Sequence, residues 1–332
     1  PLNFHQEVER LFRSWLGGQK TLPAFSYHLS HRELGAVVGM WRRRLQGVQV
    51  EVVAWKGARE VQEIFQGKLD ELFLELEILE ARGSALVLAL SQSRFPIEEA
   101  LLNRAMALAE SWCTAGVGSE ESEDRGVSLG LEEFFRRKLH EEGIEIDVRA
   151  SAISSRAAVT NHCLLVQKNV VVSPTEAERL FHHEVKAHLL PRLNAKGERA
   201  PAAIGSRESD FAEEGRAILC EERANLLGLE RRQELAWRTM VTHELLGGER
   251  PHQIFAKLRQ DSDSEVAQKR LVATIVRALR GGGLCRERIY LPAFLAVKDL
   301  FQETPGAEAW LKRGRWSLFW AKAFAKSGVQ FS

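Results

Sequence analysis

The sequence predicts an α+β fold, mainly helical, with a small β-sheet beside one functional helix. Three observations predict it. Apolar residues recur at helical intervals from residue 29 to 112 and again after residue 207. The stretch from 144 to 173 changes to alternating and β-branched texture. No segment repeats itself, which excludes a solenoid or propeller. A chain of 332 residues, 45% hydrophobic and 27% charged, has enough apolar material for a substantial core. Its 46 lysines and arginines nearly balance 45 aspartates and glutamates, so net charge offers nothing to draw in nucleic acid or a membrane surface, and neither partner is expected.

Taken in order, "LSHRELGAVVGMWRRRL" (29–45) reads as a helix capped by Ser30, with its basic run as a solvated face. "GAREVQEIFQGKLDELFLELEILEARG" comes next as a longer amphipathic helix stopped near Gly83, and a third helix is expected from about Pro96 to Trp112. The polar, acidic, glycine-containing segment 117–126 reads as a long surface loop. It separates an N-terminal helical region, 1–116, from a catalytic region, 127–332, the two expected to form one compact body. After a helix in "LEEFFRRKLHEEG", "IEIDVRA" (144–150) and "CLLVQKNVVVS" (163–173) are the expected strands. Cys113, Cys163, Cys220 and Cys285 lie far apart and form no CxxC pair, which fits free thiols in a reducing, cytoplasmic setting. No apolar run reaches the roughly 18 to 20 residues that a bilayer requires, and no signal segment opens the chain.

"SPTEAERLFHHEVKAHLL" (173–190) carries the chemistry. Ser173 can cap a helix, Pro174 suits its first position, and Glu176 can complete a capping box, so His183 falls well inside the helix. His183 and His188 are five positions apart. On an ideal α-helix they would diverge by about 140° and could not share an ion. One π-type turn would bring them onto one face, and such turns concentrate at functional sites. Pro191 implies that the helix ends soon after His188, where a distorted last turn is plausible. The bland alternative is a pair of ordinary helix histidines matched with carboxylates. His182 lies six residues from His188 and reads as a surface or supporting residue.

Catalytic zinc takes three protein ligands and keeps a fourth position open. "DFAEEGRAILCEE" (210–222) is the source of the third. With Asp210 as helix cap, Glu213 would turn back toward the helix entrance and leave Glu214 facing inward as the ligand. Glu221, two turns on, is either a hydrogen-bond partner for a ligating histidine or a solvent-exposed glutamate. Two imidazoles and a carboxylate suit Zn2+, though manganese, iron or cobalt accept similar ligands. Glu184, beside a ligand, would be the general base of peptide or amide hydrolysis.

These residues resemble the QEGLA-motif family, which includes the microtubule-associated tyrosine carboxypeptidases and bacterial relatives. In that family an HExxxH helix precedes a TEEGLA or QEGLA segment, matched here by "HEVKAH" and "AEEGRA". Further landmarks in the expected order are "PAFSY" (23–27), "FQGKLDELFLELEILEARG" (65–83), "LPRLNAKG" (190–197) and "RALRGGGLCRERIYL" (277–291), covering most of the chain. The resemblance implies that His183, His188 and Glu214 hold zinc, that Glu184 is catalytic, and that the substrate is a peptide or protein C-terminal tail. Two departures stand out. The usual Gly-Thr pair is Lys186-Ala187, and the leucine of the EGLA segment is Arg216. Carboxypeptidase action calls for a cation on the terminal carboxylate. Arg280, ahead of three glycines, is the candidate, with a loop-anchoring arginine as its alternative. Tyr290 is assigned to the developing oxyanion or to substrate positioning, with core packing as its alternative. The competing functional readings are an inactive, zinc-containing peptide-binding protein and a metalloendopeptidase.

Overall fold

The computed structural model describes residues 2–27, 29–114, 128–153, 155–160, 162–195, 200–260, 264–280 and 284–327. The acidic loop expected at 117–126 and the three glycines 281–283 lie outside them. The mainly helical α+β architecture predicted from sequence is the one observed. Two compact units divide the chain, neither continuous in sequence: Pro1–Ala115 with Glu230–Pro292, and Gly116–Leu229 with Ala293–Ser332.

The first unit is helical. Helix Phe4–Leu16, which the sequence reading passes over, buries Phe4, Val8, Leu11, Phe12 and Trp15. That spacing is one face of a 3.6-residue period. The face packs on Leu271, Val272, Ile275 and Val276 of helix Glu265–Leu279, joined by Trp237, Val241, Ile254 and Phe255. Helices His31–Val53 and Arg59–Glu80 are the first two expected helices, and they pack on one another. Ser30 caps the first in a full capping box with Glu33. Gly83, at φ +86°, lies just beyond the second, a left-handed conformation that suits glycine. The third expected helix runs Glu99–Thr114.

The second unit holds the strands. β1 (Leu129–Gly130) pairs antiparallel with β5 (Val171–Val172). β2 (Asp147–Ser151), β3 (Ala157–Val159) and β4 (Cys163–Gln167) form a sheet in the order β2-β4-β3, with β2 parallel and β3 antiparallel to β4. The run expected as a strand at 163–173 is therefore divided. Asn169, at φ +58°, makes the turn between β4 and β5, a left-handed position that asparagine tolerates well. Phe134 and Phe135 of helix Leu131–Glu141, Val148, Leu164 and Val166 of the sheet, and Phe181, Val185 and Leu189 of the histidine-bearing segment share one core. That core seats the histidine-bearing helix, with β3 packed against it. Among the described residues, no helix is long and apolar enough to cross a membrane.

Candidate metal centre

Ser173 takes up its capping role, its hydroxyl accepting the Glu176 N–H at 3.2 Å with Pro174 opening the helix. Glu176 does not close the box. Its carboxylate turns instead to the Arg179 guanidinium at 2.6 and 2.7 Å, and to Arg156. From Phe181 to Leu189 the chain is a π-helix, which is the winding the histidine spacing demands. Pro191 does not end the helix as expected. An α-helical turn resumes over Leu190–Asn194 with Pro191 in its first positions, where its missing N–H costs least.

On this wider turn the His183 and His188 rings converge, with centroids 5.1 Å apart and both side chains buried. Helix Ser209–Arg223 packs against the π-helix and brings in Glu214. Gly215 permits that helix to lie against another neighbour, since a Cβ there would collide with the Ala293 carbonyl and with Val297.

Glu214 Oε2 lies 3.6 Å from His183 Nε2 and 3.9 Å from His188 Nε2. One ligand atom from each of the three residues lies within 4.8 Å of the others. Ligands bonded to one tetrahedral zinc at the usual lengths sit about 3.3 Å apart, so a small closure of the three atoms would complete the shell. The far nitrogens are held from behind. His183 Nδ1 meets Glu221 Oε1 at 2.6 Å, and Arg179 Nη1 donates to the same oxygen at 3.1 Å. His188 Nδ1 lies 3.3 Å from Glu213 Oε2. With a proton on each Nδ1, both Nε2 lone pairs point inward, as metal coordination requires.

The field favours a cation. Burial alone would depress the His183 imidazole, but hydrogen bonds to Glu214 and Glu221 outweigh it and hold its pKa up at about 9. The carboxylates that attract a proton there attract a metal ion equally, so the two compete for Nε2. Glu213 is driven far below the ordinary carboxylate range. Burial opposes this, but His188, Arg315 and Arg192 prevail.

The structure corrects one step of the sequence reading. Asp210 is not the cap and Glu213 does not fold back on the helix entrance. Glu208, at φ +64°, precedes the helix, and Asp210 and Glu213 both bind Arg315, at 3.1 and 2.5 Å. Glu213 thereby becomes the partner of His188, a role the sequence reading missed. The signal was there: Glu213 and Glu214 point about 100° apart on a helix, enough to reach opposite ends of one imidazole. Glu221 is the histidine partner rather than a solvent-exposed residue. His182 stays outside the cluster, half-buried, its pKa lowered by burial. Glu184 is partly exposed and makes no hydrogen bond or ion pair among the described residues.

Arg280 and Tyr290 belong to the first unit and gather around a different carboxylate. Arg277 Nε donates to Glu287 Oε1 at 2.8 Å, Arg280 Nη2 lies 3.7 Å from that oxygen, and Arg238 Nη1 lies 3.7 Å from Oε2. The Arg238 guanidinium stands 4.6 Å over the Tyr290 ring, which is buried. Neither departure from the family pattern enters the three-ligand cluster. Lys186 pairs with Glu142 and sits over the Phe181 ring at 5.3 Å, and Arg216 is buried with its guanidinium on the Ala187 and Leu311 carbonyls.

No curated protein and no solved structure matches the chain. The family model described as microtubule-associated tyrosine carboxypeptidase matches residues 9–326, which takes in the histidine helix, the Glu214 helix and all the sequence landmarks from residue 23 onward. The chain belongs to the microtubule-associated tyrosine carboxypeptidase family.

Proposed function

We propose that the protein is a zinc-dependent carboxypeptidase that removes a C-terminal residue from a peptide or protein tail. Family membership supports a carboxypeptidase-like peptidase. The observation that carries the zinc reading is the pair of imidazole Nε2 atoms turned onto one Glu214 oxygen, each ring backed by a buried carboxylate. His183, His188 and Glu214 would hold the ion. Bound there, zinc would supply Lewis acidity toward the scissile carbonyl and lower the pKa of water to about 7.

The chain's own groups do the rest. Glu184 follows His183 directly and is partly exposed, and to its carboxylate we assign the task of taking a proton from the attacking water and passing it to the leaving amine. Glu221 and Glu213 hold the imidazoles in register. For the substrate carboxylate we assign Arg280. The guanidiniums of Arg231, Arg238, Arg277 and Arg280 gather around the carboxylates of Glu234 and Glu287, and a guanidinium can bind a carboxylate bidentately. Tyr290 lies beneath Arg238 in the same cluster, and Tyr290→Phe separates substrate contact from packing: unchanged kcat/KM assigns it to packing.

The deciding experiment combines metal analysis of the purified protein with a peptide-library digest read by mass spectrometry. Stoichiometric zinc and single residues lost from C-termini support the proposal. Protein that cannot be loaded with zinc removes the zinc reading. Internal cuts would make it an endopeptidase, and intact peptides with zinc-loaded protein would make it a binding protein.

A further inference from the structure

We infer that Arg216 is a positioning residue for the metal ligands: its guanidinium pins the peptide carbonyl immediately before His188, at the junction where the π-turn returns to α-helix. The inference rests on the metal-site reading for its functional consequence.

Arg216 is only 4% exposed, on the helix that carries Glu214 two residues earlier. One guanidinium nitrogen donates to the Ala187 carbonyl and another to the Leu311 carbonyl. The Ala187 carbonyl lies where the winding changes from π to α, with Pro191, which has no N–H to give the ladder, four residues on. The ladder is already shifted here, with the Leu190 N–H reaching five residues back to Val185. A planar guanidinium offers several donors in a rigid fork, so it can serve two carbonyls at a set angle. Arg216 thus ties together the Glu214 helix, the π-helix between the two histidines, and helix Ala307–Arg313. It fixes Glu214 relative to the peptide bond entering His188, the relation that sets how far their ligand atoms stand apart.

The test uses the full chain as wild type and as Arg216→Leu, Arg216→Lys and Arg216→Gln. Three quantities are read: zinc affinity by chelator competition, the visible spectrum of the cobalt-substituted protein, and hydrogen–deuterium exchange over residues 181–194, with helix Arg59–Glu80 as an internal reference. Arg216→Leu is expected to lose roughly 10- to 100-fold in zinc affinity, to shift the cobalt bands, and to exchange several-fold faster at 181–194 with the reference helix unchanged. Arg216→Lys keeps a donor and should recover part of each effect. Wild-type zinc affinity and wild-type exchange in Arg216→Leu overturn the inference. If that variant does not fold, Arg216→Gln decides by the same criteria. If the wild-type chain itself binds no zinc, the metal reading fails separately. Exchange at 181–194 then decides the positioning role alone, and an unchanged rate in Arg216→Leu overturns it.

Discussion

The two imidazoles are held with unequal grip. His183 meets a fully buried Glu221 at 2.6 Å, whereas His188 meets Glu213 at 3.3 Å, and Glu213 also serves Arg192 and Arg315. A shorter bond to a carboxylate should contribute more to ligand orientation. Glu221→Gln is therefore expected to weaken zinc binding by about 10- to 100-fold, and Glu213→Gln by less, both measured by chelator competition; the reverse order would contradict this ranking. Glu184 is proposed for a different task. Glu184→Gln should keep wild-type zinc content and lose about 10²- to 10⁴-fold in kcat, read by C-terminal residue release; undiminished turnover would remove it as the base. At this scale the sequence was readable in part: the spacing of His183 and His188 calls for the wider turn that is found, and Glu214 lies with them although the capping argument that singled it out does not hold. Glu213 was misread because a capping box is only one use of a carboxylate in a first helical turn, and Arg315, 102 positions away, supplied a stronger one.

The π-helix was deducible because an α-helix cannot bring positions five apart together, so the spacing itself demanded a wider turn. The continuation of the helix beyond it was not deducible. Pro191 reads locally as a stop, but a proline in the first turn of a resumed helix costs little, and the Ala187 carbonyl at this junction accepts from Arg216, on a separate helix. Gly215 belongs to the same kind of tertiary fact. Its lack of a side chain answers the Ala293 backbone, and nothing local announces that neighbour. Gly215→Ala is expected to destabilise the protein by roughly 1–3 kcal/mol through overpacking, seen as a lower melting temperature, even though alanine is the better helix former. Ser173→Ala should cost about 1 kcal/mol through loss of its cap on Glu176. A Gly215→Ala variant that melts above wild type would show that helix propensity outweighs the close approach.

Across the molecule, charge is buried in hubs that tie stability to pH. Glu287 is fully buried. Burial raises its pKa, but Arg277, Arg238 and Arg280 lower it more, and the net value lies below the ordinary one. A carboxylate depressed in this way contributes stability that is fully present above its unfolded pKa of about 4.3. That contribution is lost as pH falls through the folded value. Glu287→Gln should therefore cost roughly 3–5 kcal/mol at pH 7, by leaving guanidiniums uncompensated, and the gap to wild type should narrow below about pH 4. A gap that stays constant in acid would sink this account. The alternation of the two units along the chain was hidden from the sequence, since composition marks the 117–126 segment but nothing marks residue 230. It matters during synthesis. Trp15 and Ile275 share one core, and at 5–20 residues per second a ribosome needs on the order of 10 to 50 s to travel from one to the other. Until then the oily side of helix Phe4–Leu16 lacks the helix it packs on most, so the nascent chain should be a client of whatever chaperone waits at the exit tunnel.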